Sequence, residues 1–118
     1  MSKNDSYFES LSKRIADFSN ERDWEQFHNP KNLSMALSIE AAELMEIFQW
    51  LTLWQSKLES LSPAQRQAAQ EEIADVMIYA IRLSQMLDFD LLKAIDEKIV
   101  INDKKYPVDK IKGKAGLE

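Results

Sequence analysis

Two short segments of this chain carry residue types that could do chemistry, Glu40-Ala-Ala-Glu43 and Glu72-Ile-Ala-Asp75. Each sets two carboxylates three residues apart, which on an α-helix puts both on one face. Their surroundings are apolar. Glu40 and Glu43 lie in a run from Leu33 to Leu51 that is too apolar all round for a solvated helix, and Glu72 and Asp75 directly precede Val76-Met-Ile-Tyr-Ala-Ile81. Four acids turned inward cannot all stay ionised unaided, because burying an unpaired carboxylate costs several kcal/mol or more. A hard divalent cation is the natural counter-charge, and carboxylate oxygens are the ligands that magnesium and manganese prefer. Metal held this way, with open positions, grips phosphate oxygens and activates water for in-line attack. The competing reading is a structural polar patch, since a single Glu-x-x-Glu on a helix is most often a solvated face. Glu46 and Glu71 lie nearby but read as flanking surface residues.

The elements that must position these acids are helices. With only two glycines and three prolines in 118 residues, long helices are the expectation. The first runs from about Ser6 to Asn20, with Tyr7, Leu11, Ile15 and Phe18 at helical spacing. Glu21 to Pro30 is polar, aromatic and aperiodic, and reads as an ordered loop ending where Pro30 discourages a helical Asn29. A second helix from Pro30 to Trp54 carries Leu33, Leu37, Leu44, Phe48 and Leu51 on one side and Met35, Ile39, Ala42 and Ile47 on others, the mark of a central helix. Ser56 to Leu61 reads as a connector. Ser62-Pro-Ala-Gln65 is a capping box with proline at the first helical position. It opens a third helix that runs to about Leu87, with Ala69, Ile73, Val76, Ala80, Leu83 and Leu87 inward. Asp90 caps a fourth helix from Leu91 to about Lys104, ended by Tyr106-Pro107. The basic tail, 108–118, is expected to be extended or mobile. Twenty-eight residues separate Glu43 from Glu72, enough for antiparallel helices to bring the two acid pairs level.

Length and composition bound the rest. The chain fits one domain, 1–118, with an ordered core over about 6–107. So much apolar helix suggests a core finished by a second copy. A net charge of −5 argues against non-specific nucleic-acid binding, which needs a basic face. Cysteine is absent and His28 is the only histidine, which removes thiolate metal sites and makes a histidine zinc site implausible. Neither a catalytic triad nor a glycine-rich phosphate loop is present, so the chemistry has to come from metal and water. No signal peptide pattern and no uncharged membrane-length run appear, so a cytoplasmic protein without membrane contact is expected.

Two further groups could meet a substrate. Trp24, Phe27 and His28 lie in the aperiodic loop, and Trp50 and Trp54 close the second helix. Tryptophan is usually a core residue, but in a polar loop exposing it needs a reason, and stacking on a base, worth roughly 1–3 kcal/mol, is one. Lys98-Ile-Val-Ile-Asn102-Asp-Lys-Lys105-Tyr106-Pro107 gathers cations and donors at the end of the last helix, either to complement its dipole or to clamp a polyphosphate.

Taken together, Glu-x-x-Glu, the 28-residue gap and Glu-x-x-Asp resemble the all-α nucleoside triphosphate pyrophosphohydrolases of the MazG-like superfamily. Glu21-Arg-Asp-Trp-Glu-Gln-Phe-His28, Asn32-Leu33, Phe48-Gln-Trp50 and Asn102-x-x-Lys105-Tyr106-Pro107-Val108 are similar to its dCTP pyrophosphatase branch. The resemblance spans about residues 7–112. It implies an antiparallel four-helix bundle completed by oligomerisation, as a homodimer or homotetramer with pockets built across subunits. Glu40, Glu43, Glu72 and Asp75 would bind Mg2+, with Mn2+ as a substitute. Trp24 and Trp50 would wall the base with His28 beside them, and Lys98, Asn102, Lys105 and Tyr106 would meet the sugar and phosphates. The implied reaction splits dCTP or a modified pyrimidine deoxynucleotide between the α- and β-phosphates, to a nucleoside monophosphate and pyrophosphate. The alternatives are a dUTP-type or broad-specificity enzyme, and a non-catalytic helical oligomer that binds nucleotide or a protein partner.

Overall fold

A computed structural model describes residues 3–115, and their secondary structure is helical, with no strand among them. Five α-helices follow in order: α1 (Lys3–Glu21), α2 (Pro30–Phe48), α3 (Pro63–Met86), α4 (Leu91–Lys105) and α5 (Val108–Ile111). Single 3-10 turns occupy Glu25–Phe27 and Leu58–Ser60. The all-α class expected from sequence is the class observed. The chain forms two compact units, Met1–Leu87 and Asp88–Glu118.

In the first unit, local chemistry fixes each helix end. Asp23 adopts a left-handed φ of 54°, and Trp24 N–H and Asp23 N–H donate back to the Ser19 and Asn20 carbonyls at 3.0 and 3.1 Å. This is a Schellman closure with aspartate where glycine is usual, and it turns the chain so that Trp24 folds edge-on against Phe18 at 5.7 Å. Asn29 then starts α2, its side chain accepting from Asn32 N–H, with Pro30 at the first helical position. Ser62 and Gln65 make both bonds of the capping box that opens α3.

α2 is shorter than its apolar pattern suggested: it stops at Phe48, not Trp54. The reason lies in Thr52-Leu-Trp-Gln55, a second reciprocal capping exchange. Thr52 N–H donates to Gln55 Oε1 at 2.9 Å and Gln55 N–H to Thr52 Oγ1 at 3.2 Å. Those bonds offer the backbone a fresh turn in place of continuing the helix. Trp50 and Trp54 therefore stand in the turn region and not on α2, and both are exposed.

α2 packs mainly on α3, and α1 on α3. Glu40 and Glu72 each lie a little over two turns from the loop joining α2 and α3, the register of antiparallel neighbours. Among the described residues, Leu33, Ala69 and Ile81 are the buried apolar side chains, while Met35, Ile39 and Met45 of α2 and Trp50, Leu53 and Trp54 beyond it remain exposed. Ile73 and Leu87, expected inward on α3, are half exposed.

In the second unit, Asp90 caps α4 by accepting from Lys93 N–H at 3.1 Å, and Tyr106-Pro107 ends it. The tail is not wholly extended. Pro107 accepts from Lys110 and Ile111 N–H at 3.0 Å to start α5, and Gly113, at φ 82°, takes the left-handed turn that follows. Residues 116–118 of that tail lie outside the described ones.

Candidate metal and nucleotide site

Glu40 and Glu43 on α2 and Glu72 on α3 present carboxylate oxygens that all lie within 4.8 Å of one another. Glu40 and Glu72 are half-buried and Glu43 is exposed. Oε2 of Glu40 and Oε2 of Glu72 are shut away from solvent with no hydrogen-bond donor against them. Three carboxylates at this separation repel, and Glu40 shows it. Its pKa is pushed up from 4.5 to about 7, first by the neighbouring Glu72 carboxylate, which favours a protonated Glu40, then by burial, then by Glu43. The donor set is all hard oxygen, two of its atoms are orphaned, and one face is open to solvent, which suits a divalent cation. Asp75 stands apart from the three-carboxylate cluster, one turn on from Glu72, and lines the adjoining cavity together with Glu40.

That cavity, about 820 Å³, is walled by α1 and α3 and by the loop after α1. Leu11, Ile15, Phe18, Ile78 and Ile81 give it an apolar lining, to which α1 also adds Arg14, Asp17 and Glu21; Glu40 and Asp75 line it toward the carboxylate cluster, and Trp24 and His28 line it near Arg82. Glu72, Asp75, Tyr79 and Arg82 recur at helical spacing along α3, so one stripe of that helix runs from the acids to the far end. Asp75 and Arg82 are two turns, about 10 Å, apart along the axis.

At the far end Arg82, Gln85 and Glu25 form a network that the sequence did not reveal. Arg82 is only 3 % exposed. Its Nε donates to His28 Nδ1 at 3.0 Å, and its Nη1 to Gln85 Oε1 at 2.8 Å. Gln85 in turn donates to the carbonyl and hydroxyl of Ser12 on α1 at 2.8 Å each. Glu25 Oε1 lies 3.8 Å from Arg82 Nη2, an ion pair too long for a hydrogen bond. Because Nδ1 of His28 accepts, the neutral ring carries its proton on Nε2. Burial, then the Arg82 charge, hold the His28 pKa below 6.5, with Glu25 opposing them. Arg82 falls within an apolar stretch with no local pattern to mark it; only the fold sets it beside a residue 54 positions away.

The remaining expected residues are not gathered here. Trp50 is 87 % exposed and is not among the cavity-lining residues. Lys98, Asn102 and Lys105 lie on α4 in the second unit, spaced to share one helix face. Tyr106 closes that helix by donating its N–H to the Asn102 carbonyl at 2.8 Å, with Lys105 Nζ 5.3 Å from its ring centre.

An all-α chain with paired carboxylates on adjacent helices defines a class, and comparison with known proteins names it. The MazG-like family pattern matches residues 35–115, and the chain belongs to that family. It is 41 % identical over 107 residues to dCTP pyrophosphatase 1 of Rattus norvegicus, covering 91 % of this chain and 63 % of that one. It is 44 % identical over 99 residues to dCTP pyrophosphatase 1 of Homo sapiens, covering 84 % and 58 %. The chain therefore spans about three fifths of the length of these curated relatives. A crystal structure of a pyrophosphatase from Archaeoglobus fulgidus matches with a TM-score of 0.78 and 38 % identity, over 86 % of this chain and 93 % of that one.

Proposed function

We propose that this chain is a magnesium-dependent nucleoside triphosphate pyrophosphohydrolase. It takes dCTP or a related pyrimidine deoxynucleotide and releases the monophosphate and pyrophosphate, as a house-cleaning enzyme of the cytoplasmic nucleotide pool. The observation that carries this reading is the cluster of Glu40, Glu43 and Glu72, with two orphaned buried oxygens, opening on a cavity of nucleotide size. The relatives named dCTP pyrophosphatase 1 support the choice of substrate.

Glu40, Glu43 and Glu72 would hold the cation, with Asp75 completing the set from one turn along α3. When bound, Mg2+ (or Mn2+ in its place) supplies positive charge to the phosphate oxygens and acidifies water. The chain's own part is to give up the proton that the raised pKa favours on Glu40 as the ion enters, and to wall the other end of the cavity with apolar side chains. Trp24 offers a ring to the base, and neutral His28 presents Nε2–H beside it. The resemblance of the C-terminal motif supports Lys98, Asn102, Lys105 and Tyr106 as sugar and phosphate ligands, within one catalytic domain. The exposed apolar side chains of α2 and the turn after it support self-association, with Trp50 completing the base wall in the assembled enzyme.

Pyrophosphate release across the eight common nucleotides, with Mg2+ and then with chelator, tests the reading. Metal-dependent release that favours dCTP is expected. A flat profile counts against cytosine preference, and no release from any nucleotide leaves a non-catalytic binding protein in its place.

A further inference from the structure

Arg82 has one donor group unaccounted for. Nε is committed to His28 and Nη1 to Gln85, which is itself anchored on Ser12, so the guanidinium is held on two edges. Nη2 is buried and makes no hydrogen bond. Leaving a charged donor unpaired in a low-dielectric site is costly, and the long pair to exposed Glu25 offsets little of that cost. Arg82 lines the cavity with Trp24 and His28, so an acceptor on a molecule seated there would relieve the cost. Phosphate is a poor occupant of this end: the acids that call for a cation lie nearly three turns away along α3, and although Arg14 lines the cavity, so do Asp17 and Glu21. A planar ring that stacks on an indole and turns one strong neutral acceptor toward Nη2 is a better match. Of the groups a nucleobase offers, a carbonyl oxygen has two lone pairs and the broadest angular tolerance.

We propose that Arg82 is a specificity-determining residue whose free Nη2–H reads the carbonyl oxygen of the substrate's pyrimidine base, while its Nε fixes His28 alongside. This rests on the reading of the cavity as a nucleotide site. Within that reading it deepens the substrate class: the base end demands a carbonyl, which cytosine, uracil and thymine have and adenine lacks.

The test compares dCTP with the triphosphate of a C-linked 2-aminopyridine deoxynucleoside, which keeps cytosine's size, amino group and ring nitrogen but has no carbonyl. In the full-length wild-type protein with Mg2+, kcat/KM should favour dCTP by about ten- to a hundredfold, the worth of one hydrogen bond to a charged group. In Arg82→Gln that preference should collapse to within about threefold, because both substrates lose the support of His28 but only dCTP also loses its carbonyl contact. Equal treatment of the two substrates by the wild type overturns the assignment, and this comparison stands even if Arg82→Gln fails to fold. An equal loss on both substrates in a folded Arg82→Gln also overturns it, reducing Arg82 to a support for His28. These failures differ from that of the parent reading, in which the wild type releases no pyrophosphate from any nucleotide and both ideas fall.

Discussion

The two ends of the α3 stripe solve the problem of buried charge in opposite ways. At the Glu40–Glu43–Glu72 end, like charges crowd together, and two oxygens have no donor. At the Arg82 end, a single buried cation is held by a neutral histidine and a glutamine, with its nearest anion at 3.8 Å. One end would be completed by the cation proposed above. The other is largely built by the chain itself, with one donor left over. On the proposed reading, the difference separates the part of the site that a cation would load from the part that is already shaped.

The largest expected effect falls on the unfinished end. Glu43→Gln removes a carboxylate while keeping the side chain's size, and turnover should drop at least a hundredfold, since even residues that only orient metal ligands cost 10–100-fold. Helix content by circular dichroism should stay unchanged, and the metal-free variant should melt no lower than wild type, because one repelling charge is gone. A Glu43→Gln enzyme with wild-type turnover would erase the distinction between the two ends.

Loading the acids should also stabilise the fold. At a cation concentration of a hundred times Kd, binding to the folded state alone contributes about 2.7 kcal/mol, or roughly 10 °C in Tm for a chain of this size. Calorimetry in buffers of different ionisation enthalpy should reveal proton release near pH 6.5, as Glu40 gives up its proton to the cation. A Tm that ignores Mg2+ and Mn2+ would mean the cluster is a polar patch.

The ends should also respond to pH in opposite directions. Glu40 is raised from 4.5 to about 7, so its contribution to stability is fully present below pH 4.5 and lost as pH rises through about 7. His28 is lowered from 6.5, so its contribution is present above pH 6.5 and lost as pH falls through its folded value. In chelator the two partly cancel, and wild type should show a shallow Tm profile between pH 5 and 8. Glu40→Gln removes the first contribution, leaving a Tm that rises with pH by a few degrees. A profile that still falls with pH in Glu40→Gln would put the titrating group elsewhere.

How much of this was legible in sequence depends on whether the signal was local. Ser62-Pro-Ala-Gln65 announces the start of α3 because a capping box and an N1 proline act within one turn. The acid pairs were legible for a similar reason: helical spacing and apolar neighbours point them inward before any tertiary contact is known. Thr52-Leu-Trp-Gln55 carried an equally local signal, but Leu51, Leu53 and Trp54 continue a helical apolar pattern and mask it, so α2 reads too long. Arg82 had no local signature. Its partners His28, Gln85 and Glu25 meet only when the loop after α1 folds back on α3, and hydrophobic periodicity carries no information about that meeting. Asp75 illustrates a finer limit: spacing places it on the face of Glu72, but only packing decides that Glu40, Glu43 and Glu72 converge without it.

The smallest effect sharpens the comparison most cleanly, because His28 is the only histidine in the chain. Its ring signals can be followed by NMR without assignment ambiguity. In wild type the midpoint should lie below 6.5, and the nitrogen shifts should report a proton on Nε2, since Nδ1 accepts from Arg82. Removing the guanidinium in Arg82→Gln takes away a nearby positive charge, so the midpoint should move up; the burial contribution stays, so it should remain under 6.5. Glu25→Gln removes the opposing negative charge and should move the midpoint down. Substitutions at Glu43 should leave it where it is, if the two ends are as separate as the nearly three turns of helix from Glu72 to Arg82 make them. A midpoint that follows the acids and ignores Arg82 would show one coupled electrostatic site, in which the shaped end and the loaded end are the same thing.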